Sequence, residues 1–205
     1  MARPRKVSDD EVFAATYRAM NRLSPGELTL AAIAEEAGVT AGALVQRFGS
    51  KRDLLLALSG RYSSATGEMF IGLRQAASSP LAALRAYGEC MSQMASSPAA
   101  LARSLSYLQI DLTDPEFRKH LHTQARSTRT EMQALITDAI EAGELVRETN
   151  AKQLARTVEA VLSGSMMAWA HYQEGTAQAW MRQDLEAVLA PYLPGRPRKK
   201  RAKSR

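Results

Sequence analysis

Apolar residues recur at intervals of three and four along most of this 205-residue chain, which is the spacing of one face of an α-helix. After residue 62 the sequence has no alternation of apolar and polar residues typical of a β-strand. Ser-Pro or Asp-Pro steps at 79–80, 97–98 and 114–115 indicate loops that lead into new helices, because proline is favoured in the first turn. The pattern predicts an all-α fold. Candidate helices in this part cover residues 64–77, 80–95, 98–112, 115–142, 150–174 and 176–192.

Capping patterns divide the first 62 residues into further helices. An S-x-x-E pattern at residues 8–11 predicts the start of a first helix, which Ser24-Pro25-Gly26 would end. An S-x-x-D pattern at residues 50–53 repeats the signal and predicts another helix that runs to Tyr62. The interval between these two helices is long enough for two short ones.

The two short helices are joined by a tight turn. Thr29 and Thr40 can each accept a hydrogen bond from a first-turn amide. Gly38 can adopt the positive φ at which the first of the two helices stops. Leu44 and Phe48 are four residues apart, so both can face inward. This layout is typical of a helix-turn-helix whose second helix enters the major groove of DNA.

The residues of this segment are more specific than their spacing. The sequence IAEEAGVTAGALVQRF followed by GSKRDLL resembles the N-terminal DNA-binding domain of TetR-family (tetracycline-repressor-like) transcriptional regulators, over about residues 8–60. One departure is Val45, because the family commonly has a tyrosine there that helps to hold a DNA phosphate. Arg47 stands where tyrosine or histidine is common, and could supply a phosphate or a base contact instead. The resemblance implies DNA binding but does not fix the operator sequence.

The resemblance also implies the organisation of the chain. Residues 1–60 are expected to form a three-helix bundle with the helix-turn-helix. Residues 61–195 are expected to form a larger helical ligand-binding and dimerisation domain, and residues 196–205 a disordered basic tail. No run of about 18 apolar residues and no signal-peptide pattern is present, which favours a soluble cytoplasmic protein.

Several side chains of the helix-turn-helix are candidates for DNA contacts. Glutamine pairs bidentately with adenine and arginine with guanine, so Gln46 and Arg47 are expected to face base edges. Lys51, in the first turn of the following helix, is expected to reach phosphate. The candidates are, for phosphate, Thr29, Arg47 and Lys51 and, for base edges, Thr40, Ala41, Gln46 and Arg47, with Gly42 and Val45 on the same surface.

In the resembled family the last two helices join the same pair of a second subunit in a four-helix bundle. Such a two-fold homodimer would present two recognition helices to half-sites about one turn of DNA (~34–36 Å) apart. Small residues at 163–165 would let another helix approach closely, although the same apolar stripes could also fill the subunit's own core. The expected interface residues are Leu154, Val158, Val161, Leu162, Ser165, Trp180, Leu185, Val188 and Leu189.

A small-molecule pocket among the middle helices is the remaining implication of the resemblance. Nine methionines would suit an adaptable apolar pocket, so the effector is predicted to be apolar. Methionine at helical spacing is also ordinary core, which leaves the alternative open. The candidate ligand-binding residues are Met91, Met94, Leu105, Leu108, Gln109, Met166 and Trp169.

The net charge of +6 is concentrated at the two ends of the chain. Residues 196–205, RPRKKRAKSR, carry seven positive charges, and Arg3, Arg5 and Lys6 carry three more. Without these ten, acidic residues outnumber basic ones, so the folded body is mildly acidic. Basic tails commonly strengthen DNA binding in a salt-dependent, sequence-independent way, although a solvated tail without contacts is the alternative.

The sequence does not favour a catalytic or metal-binding function. His120 and His122 are two residues apart, and on a helix they diverge by about 200° and do not readily chelate one metal. No glycine-rich phosphate loop, nucleophile elbow or H-E-x-x-H pattern is present, and the single cysteine excludes an intramolecular disulfide. No enzymatic activity, cofactor, metal or membrane partner is predicted.

The favoured function is a dimeric transcriptional repressor that binds double-stranded DNA and is released from a palindromic operator by a small-molecule effector. Two alternatives stay open. One is a nonspecific or architectural DNA-binding protein driven by the basic tails. The other is a helical ligand-binding protein that has lost DNA recognition, which Val45 leaves conceivable.

Overall fold

The computed structural model describes residues 7–195, and its regular structure over that range is helical. The basic tail at 196–205 and the basic residues before Val7 lie outside the described residues. The all-α prediction is confirmed. The helices are α1 (Asp9–Met20), α2 (Leu30–Ala37), α3 (Ala41–Phe48), α4 (Lys51–Ala76), α5 (Pro80–Ser92), α6 (Pro98–Thr113), α7 (Pro115–Glu141), α8 (Ala151–Tyr172) and α9 (Ala177–Leu189), with 3₁₀ turns at Gln93–Ala95 and Ala190–Tyr192.

Each of these nine α-helices begins at a side chain that accepts a hydrogen bond from a backbone amide of its first turn. At α1 the bond is reciprocal, because the Ser8 amide also donates to the Glu11 carboxylate at 2.8 Å. The predicted prolines occupy the first turns of α5, α6 and α7. Such caps stabilise a helix by about 1 kcal/mol each. The capping residues are Ser8, Thr29, Thr40, Ser50, Ser79, Ser97, Asp114, Asn150 and Thr176.

The helix α4 corrects one prediction. Separate helices were expected to end near Tyr62 and begin near residue 64, but α4 continues unbroken for 26 residues. The hydroxyl groups in this segment bond back to the helix itself, since Ser64 Oγ donates to the Arg61 carbonyl at 2.9 Å and Thr66 Oγ1 to the Tyr62 carbonyl at 3.4 Å. Serine and threonine therefore interrupt the apolar pattern without interrupting the helix.

Buried apolar residues form two separate hydrophobic clusters. The one around the helix-turn-helix, which we call the head core, consists of Val12, Ala19, Leu28, Ile33, Ala34, Leu44, Leu54, Leu55, Leu58, Tyr107 and Phe117. The second, which we call the body core, is built from the C-terminal half of α4, from α5, from the start of α6 and from α7 to α9. Three helices, α4, α6 and α7, contribute to both clusters, so they join the head to the body.

The two longest joining helices, α4 and α7, have no buried apolar residue between the clusters. On α4 the head core ends at Leu58 and the body core begins at Phe70, and the buried residues between them are Ser63 and Thr66. On α7 the corresponding positions are Phe117 and Met132. The predicted domain boundary at residue 60 falls in this segment of α4. Across residues 7–195 no helix has the length and apolar character needed to cross a membrane.

Candidate DNA-binding surface

The turn between α2 and α3 has the geometry that the sequence pattern predicted. Gly38 adopts the left-handed conformation, with φ 68° and ψ 32°, where α2 ends. The next amide, that of Val39, donates to the Ala34 carbonyl at 2.9 Å and so closes the turn. Thr40 then caps α3 by accepting the Ala43 amide at 3.1 Å. These bonds fix the direction in which α3 leaves the turn.

One side of α3 is anchored in the head core, and the other is exposed. Leu44 is buried, and Phe48 packs beside Phe13 with ring centroids 5.9 Å apart. Ala41 is half-buried against the same core. The exposed residues of this helix are Gly42, Ala43, Val45, Gln46 and Arg47, and the capping residue Thr40 is exposed as well. This exposed side is the candidate DNA-binding surface.

Arg47 is tied to the N-terminal end of the described chain. Its Nη1 donates to the Val7 carbonyl at 2.7 Å, and its Nη2 forms an ion pair with Asp9. Its guanidinium carbon also lies 5.5 Å from the centre of the Phe48 ring. In this arrangement Arg47 joins α3 to the start of α1. Contact between Arg47 and DNA stays a prediction, and it would require these bonds to be released.

Lys51 is likewise used within the protein. Its ammonium group is half-buried and donates to the carbonyls of Pro25 at 3.0 Å and Leu28 at 2.7 Å. It thereby holds the loop between α1 and α2, which ends at the cap residue Thr29. These two bonds use two of the three N–H donors of the ammonium group, so the predicted phosphate contact by Lys51 stays a prediction. Thr29 is exposed and accepts the Ala32 amide at 3.1 Å, which leaves its hydroxyl hydrogen available to a phosphate.

Two residues of α6, which sequence analysis did not identify, hold the same loop from the body side. Arg103 Nε donates to the Asn21 carbonyl at 2.8 Å, and the Tyr107 hydroxyl donates to the Leu23 carbonyl at 2.8 Å. Burial raises the pKa of Tyr107 to about 12, so its hydroxyl keeps the proton that it donates. Arg103 and Tyr107 are four residues apart on α6, but their partners lie more than 80 residues earlier in the sequence. No local sequence pattern therefore predicts these two hydrogen bonds.

The start of α4 is bonded to the junction of α6 and α7. Arg52 donates to the carboxylates of Asp114, at 2.7 Å, and Glu116, at 2.8 Å. Its guanidinium also lies 5.5 Å from the centre of the Phe117 ring. The hydrogen bond from Arg52 lowers the pKa of Asp114, which is at the same time the N-cap of α7. The head therefore meets the body through polar contacts placed around the apolar contacts of Tyr107 and Phe117.

The seven predicted ligand-binding residues differ widely in how deeply they are buried. Met166 and Trp169 are buried in the body core, while Met91 and Leu108 are half-buried. The other three, Met94, Leu105 and Gln109, are exposed. Two open cavities of about 310 and 450 Å³ lie elsewhere, the smaller between α1 and α2 and the larger on α8 and α9. Neither contains any of the seven.

The predicted dimer residues separate into two groups. Trp180, Val161 and Val188 are half-buried, and the last two line the cavity of about 450 Å³ together with small residues of both helices. The other six are buried within the subunit: Leu154, Val158, Leu162, Ser165, Leu185 and Leu189. Five of them belong to the body core, whereas Ser165 also lines the cavity. Their part in a dimer interface stays a prediction. The groove is lined by Ala160, Val161, Gly164, Ser165, Ala168, Asp184, Ala187 and Val188.

A helix-turn-helix with an exposed second helix, followed by a larger helical body, defines a class of DNA-binding regulators. Two family models match the chain: that of the bacterial regulatory proteins of the tetR family over residues 12–58, and that of the tetracyclin repressor-like C-terminal domain over residues 106–185. The protein belongs to the TetR family and is a DNA-binding transcriptional regulator. No curated protein matches it.

Solved structures of regulators share the fold over most of the chain. A TetR transcription regulator from Haloarcula marismortui is 19% identical with a TM-score of 0.72, and the match covers 91% of this chain and 98% of that one. A TetR-family regulator from Agrobacterium tumefaciens is 21% identical with a TM-score of 0.70, covering 91% and 97%. FadR from Bacillus subtilis, solved in complex with stearoyl-CoA, is 16% identical with a TM-score of 0.67, covering 89% and 98%. At these identities the likeness extends to the fold.

Proposed function

We propose that this protein is a homodimeric repressor that binds a palindromic operator and is released from it by a small-molecule effector. The observation that carries the proposal is the exposed side of α3. Gly42, Val45 and Gln46 are exposed on that side and are not part of the head core. The opposite side of the helix packs in the head core, which fixes its position. A rigidly held helix with a free side is what reading of the major groove requires.

Dimerisation is proposed through the groove on α8 and α9. Its exposed lining residues are small, and Gly164 has open space where a side chain would project. A second copy related by a two-fold axis could place its own α8 and α9 against this surface at short distance. Two helix-turn-helix segments would then face DNA together, which is why a palindromic operator is expected.

The substitution Gly164→Leu tests this interface. The wild-type protein is expected to sediment at twice the chain mass of 22.4 kDa, and Gly164→Leu to shift the equilibrium toward the monomer. Gly72→Leu on the exposed side of α4 is the matched control, because it too has open space around its Cβ position. Equal association of both variants would rule out this groove as the interface.

The effector is proposed to be an apolar molecule that binds among α5 to α8, near the half-buried Met91 and Leu108. The support is the side-chain chemistry of this region, together with a FadR of the same fold that was solved with stearoyl-CoA. Stearoyl-CoA is therefore a reasoned first probe, with free coenzyme A as its control. Release of DNA by stearoyl-CoA and not by free coenzyme A would support an apolar effector. Equal release by both compounds would contradict the proposal that the effector is apolar.

Selection from random duplex DNA by the full-length protein tests the central proposal. A palindromic consensus with half-sites about one helical turn apart is expected. Enrichment of no sequence would contradict the proposal, and would favour nonspecific binding or a protein whose head no longer reads DNA. The salt concentration should be physiological, because low salt increases the sequence-independent share of the affinity.

A further inference from the structure

Val45 is the large apolar side chain that α3 leaves uncovered. Its exposed fraction is 49%, whereas the adjacent Leu44 is 1% exposed in the head core. An isopropyl group exposed to water on a rigid helix is stabilised when another apolar surface covers it, because apolar area is removed from water. No such surface comes from the described part of the head core, whose members exclude Val45.

The surroundings of Val45 suit a base edge better than a phosphate. Val45 and Gln46 follow Gly42 by about one turn, so they flank a position that has no side chain. A Cβ at Gly42 would meet only Thr40 Oγ1, at 4.0 Å, so this part of the helix is open. The nearby cation, Arg47, is turned away toward Asp9 and the Val7 carbonyl. The exposed surface therefore offers a branched apolar group beside an amide.

The major groove presents one apolar group to such a surface, the C5-methyl group of thymine. We infer that Val45 packs against a thymine methyl in each half-site of the operator, beside the base pair that Gln46 contacts. This inference rests on the proposed function, and adds to it a side chain that determines specificity by apolar contact. It assigns Val45 a role different from that of the phosphate-binding tyrosine common at this position.

Uracil substitution isolates the proposed contact. Uracil keeps the pairing and the O4 acceptor of thymine and lacks only the C5-methyl group. Each thymine of the selected operator is replaced by uracil in turn, symmetrically in both half-sites, and the affinity of the full-length protein is measured. At one symmetric position wild-type affinity is expected to fall by about fourfold per half-site, which is the effect of losing one buried methyl group.

The variant Val45→Ala identifies the side chain responsible. It should bind the thymine operator more weakly than wild type, and should lose the difference between thymine and uracil at that one position. Ile71→Ala is the control, because Ile71 on α4 is also an exposed apolar residue, at 56%. This control should keep the wild-type difference.

Three results would overturn the inference. Wild-type protein could be insensitive to every uracil substitution, or the sensitivity could persist unchanged in Val45→Ala. Either result removes Val45 from base reading while leaving specific DNA binding intact. A wild-type protein that selects no consensus would overturn the proposed function and this inference together.

Discussion

The head and the body of this protein differ in how closely their candidate binding residues follow one another in the sequence. In the head, an eight-residue helix carries the candidate surface, and three residues before it supply the turn and the cap. In the body, the residues expected around an effector come from α5, the 3₁₀ turn that follows it, α6 and α8, and the structure divides them between the core and the surface. A short motif can specify a surface that one helix presents, whereas a pocket depends on how several helices pack.

The head and the body each have a closed hydrophobic core of their own. Ile33 in the head core and Leu135 in the body core are both fully buried. Between the cores, the buried residues of α4 are Ser63 and Thr66, and α7 has no buried residue there. The head and body are therefore expected to open as separate cooperative units, with the polar contacts of Arg52, Arg103 and Tyr107 at their junction.

The largest expected effects test this separation. Ile33→Ala and Leu135→Ala should each lower the free energy of unfolding by about 2–5 kcal/mol, because each leaves a cavity in a closed core. Ile33→Ala should speed hydrogen exchange in α1 to α3 more than in α8 and α9, and Leu135→Ala should do the reverse. Uniform acceleration in both variants would show that the two cores unfold as one unit.

Lys51→Met tests whether Lys51 is part of the head's structure. Its ammonium group donates to the Pro25 and Leu28 carbonyls, and loss of the charged donor should lower the free energy of unfolding by about 1.5–3 kcal/mol. Lys152→Met, on an exposed position of α8, is the control for loss of a lysine charge. Equally small shifts of the melting temperature for both variants would show that the bonds of Lys51 to the two carbonyls do not stabilise the head.

Asp111, half-buried near the end of α6, provides a pH test at the junction. Burial raises the pKa of its carboxyl to about 6, so the folded state holds the proton more tightly than the unfolded state. Its contribution to stability is therefore present below about pH 4 and is lost as the pH rises through 6. Asp111→Asn should raise stability at pH 7.5 by roughly 1 kcal/mol, after discounting for partial exposure, and should leave it unchanged near pH 4.

Thermal denaturation of the wild type and of Asp111→Asn, at several pH values between about 4 and 7.5, measures this difference in stability. A constant difference between the two proteins at every pH would contradict the assignment, because an effect of shape alone does not titrate. The carboxyl of Asp114 shifts in the opposite direction, since Arg52 lowers its pKa. Its contribution is lost only in stronger acid, so the two aspartates are separable by pH.

The smallest expected stability effect belongs to Gly42→Ala, which separates folding from DNA binding. Alanine in place of a helical glycine should raise stability by about 0.5–1 kcal/mol, since the site has room for a Cβ. The same methyl group would stand on the open side of α3 and should weaken specific DNA binding. Gly72→Ala on α4 should stabilise similarly without changing DNA affinity. Unchanged DNA affinity in Gly42→Ala would show that this part of α3 does not approach the groove.

The sequence predicted those features that neighbouring residues determine. The capping residues, the prolines that begin α5, α6 and α7, and the positive φ of Gly38 are local, and the structure confirms them. The predicted break near Tyr62 was wrong, because serine hydroxyls can bond to carbonyls of their own helix. Domain boundaries and DNA contacts stay predictions.

The partners of charged side chains lay beyond sequence reasoning. Arg47 and Lys51 were assigned to DNA from their positions in a motif, but their partners in the structure lie 40, 26 and 23 residues away along the chain. Long, flexible cations find carbonyl or carboxylate partners in three dimensions, and the sequence contains no period that marks such pairs. Val45 and Gln46 were predicted more simply, because an eight-residue helix with an inward Leu44 leaves them facing out.

The most direct test of the account compares operators selected from random duplex DNA by wild-type protein and by Gln46→Ala. A palindromic consensus is expected for the wild type, and the variant should lose base preference at one position in each half-site and keep the others. Glutamine discriminates a base by about 1–3 kcal/mol, which such a selection resolves easily. Identical consensus sequences for both proteins would contradict the claim that the exposed side of α3 reads the operator.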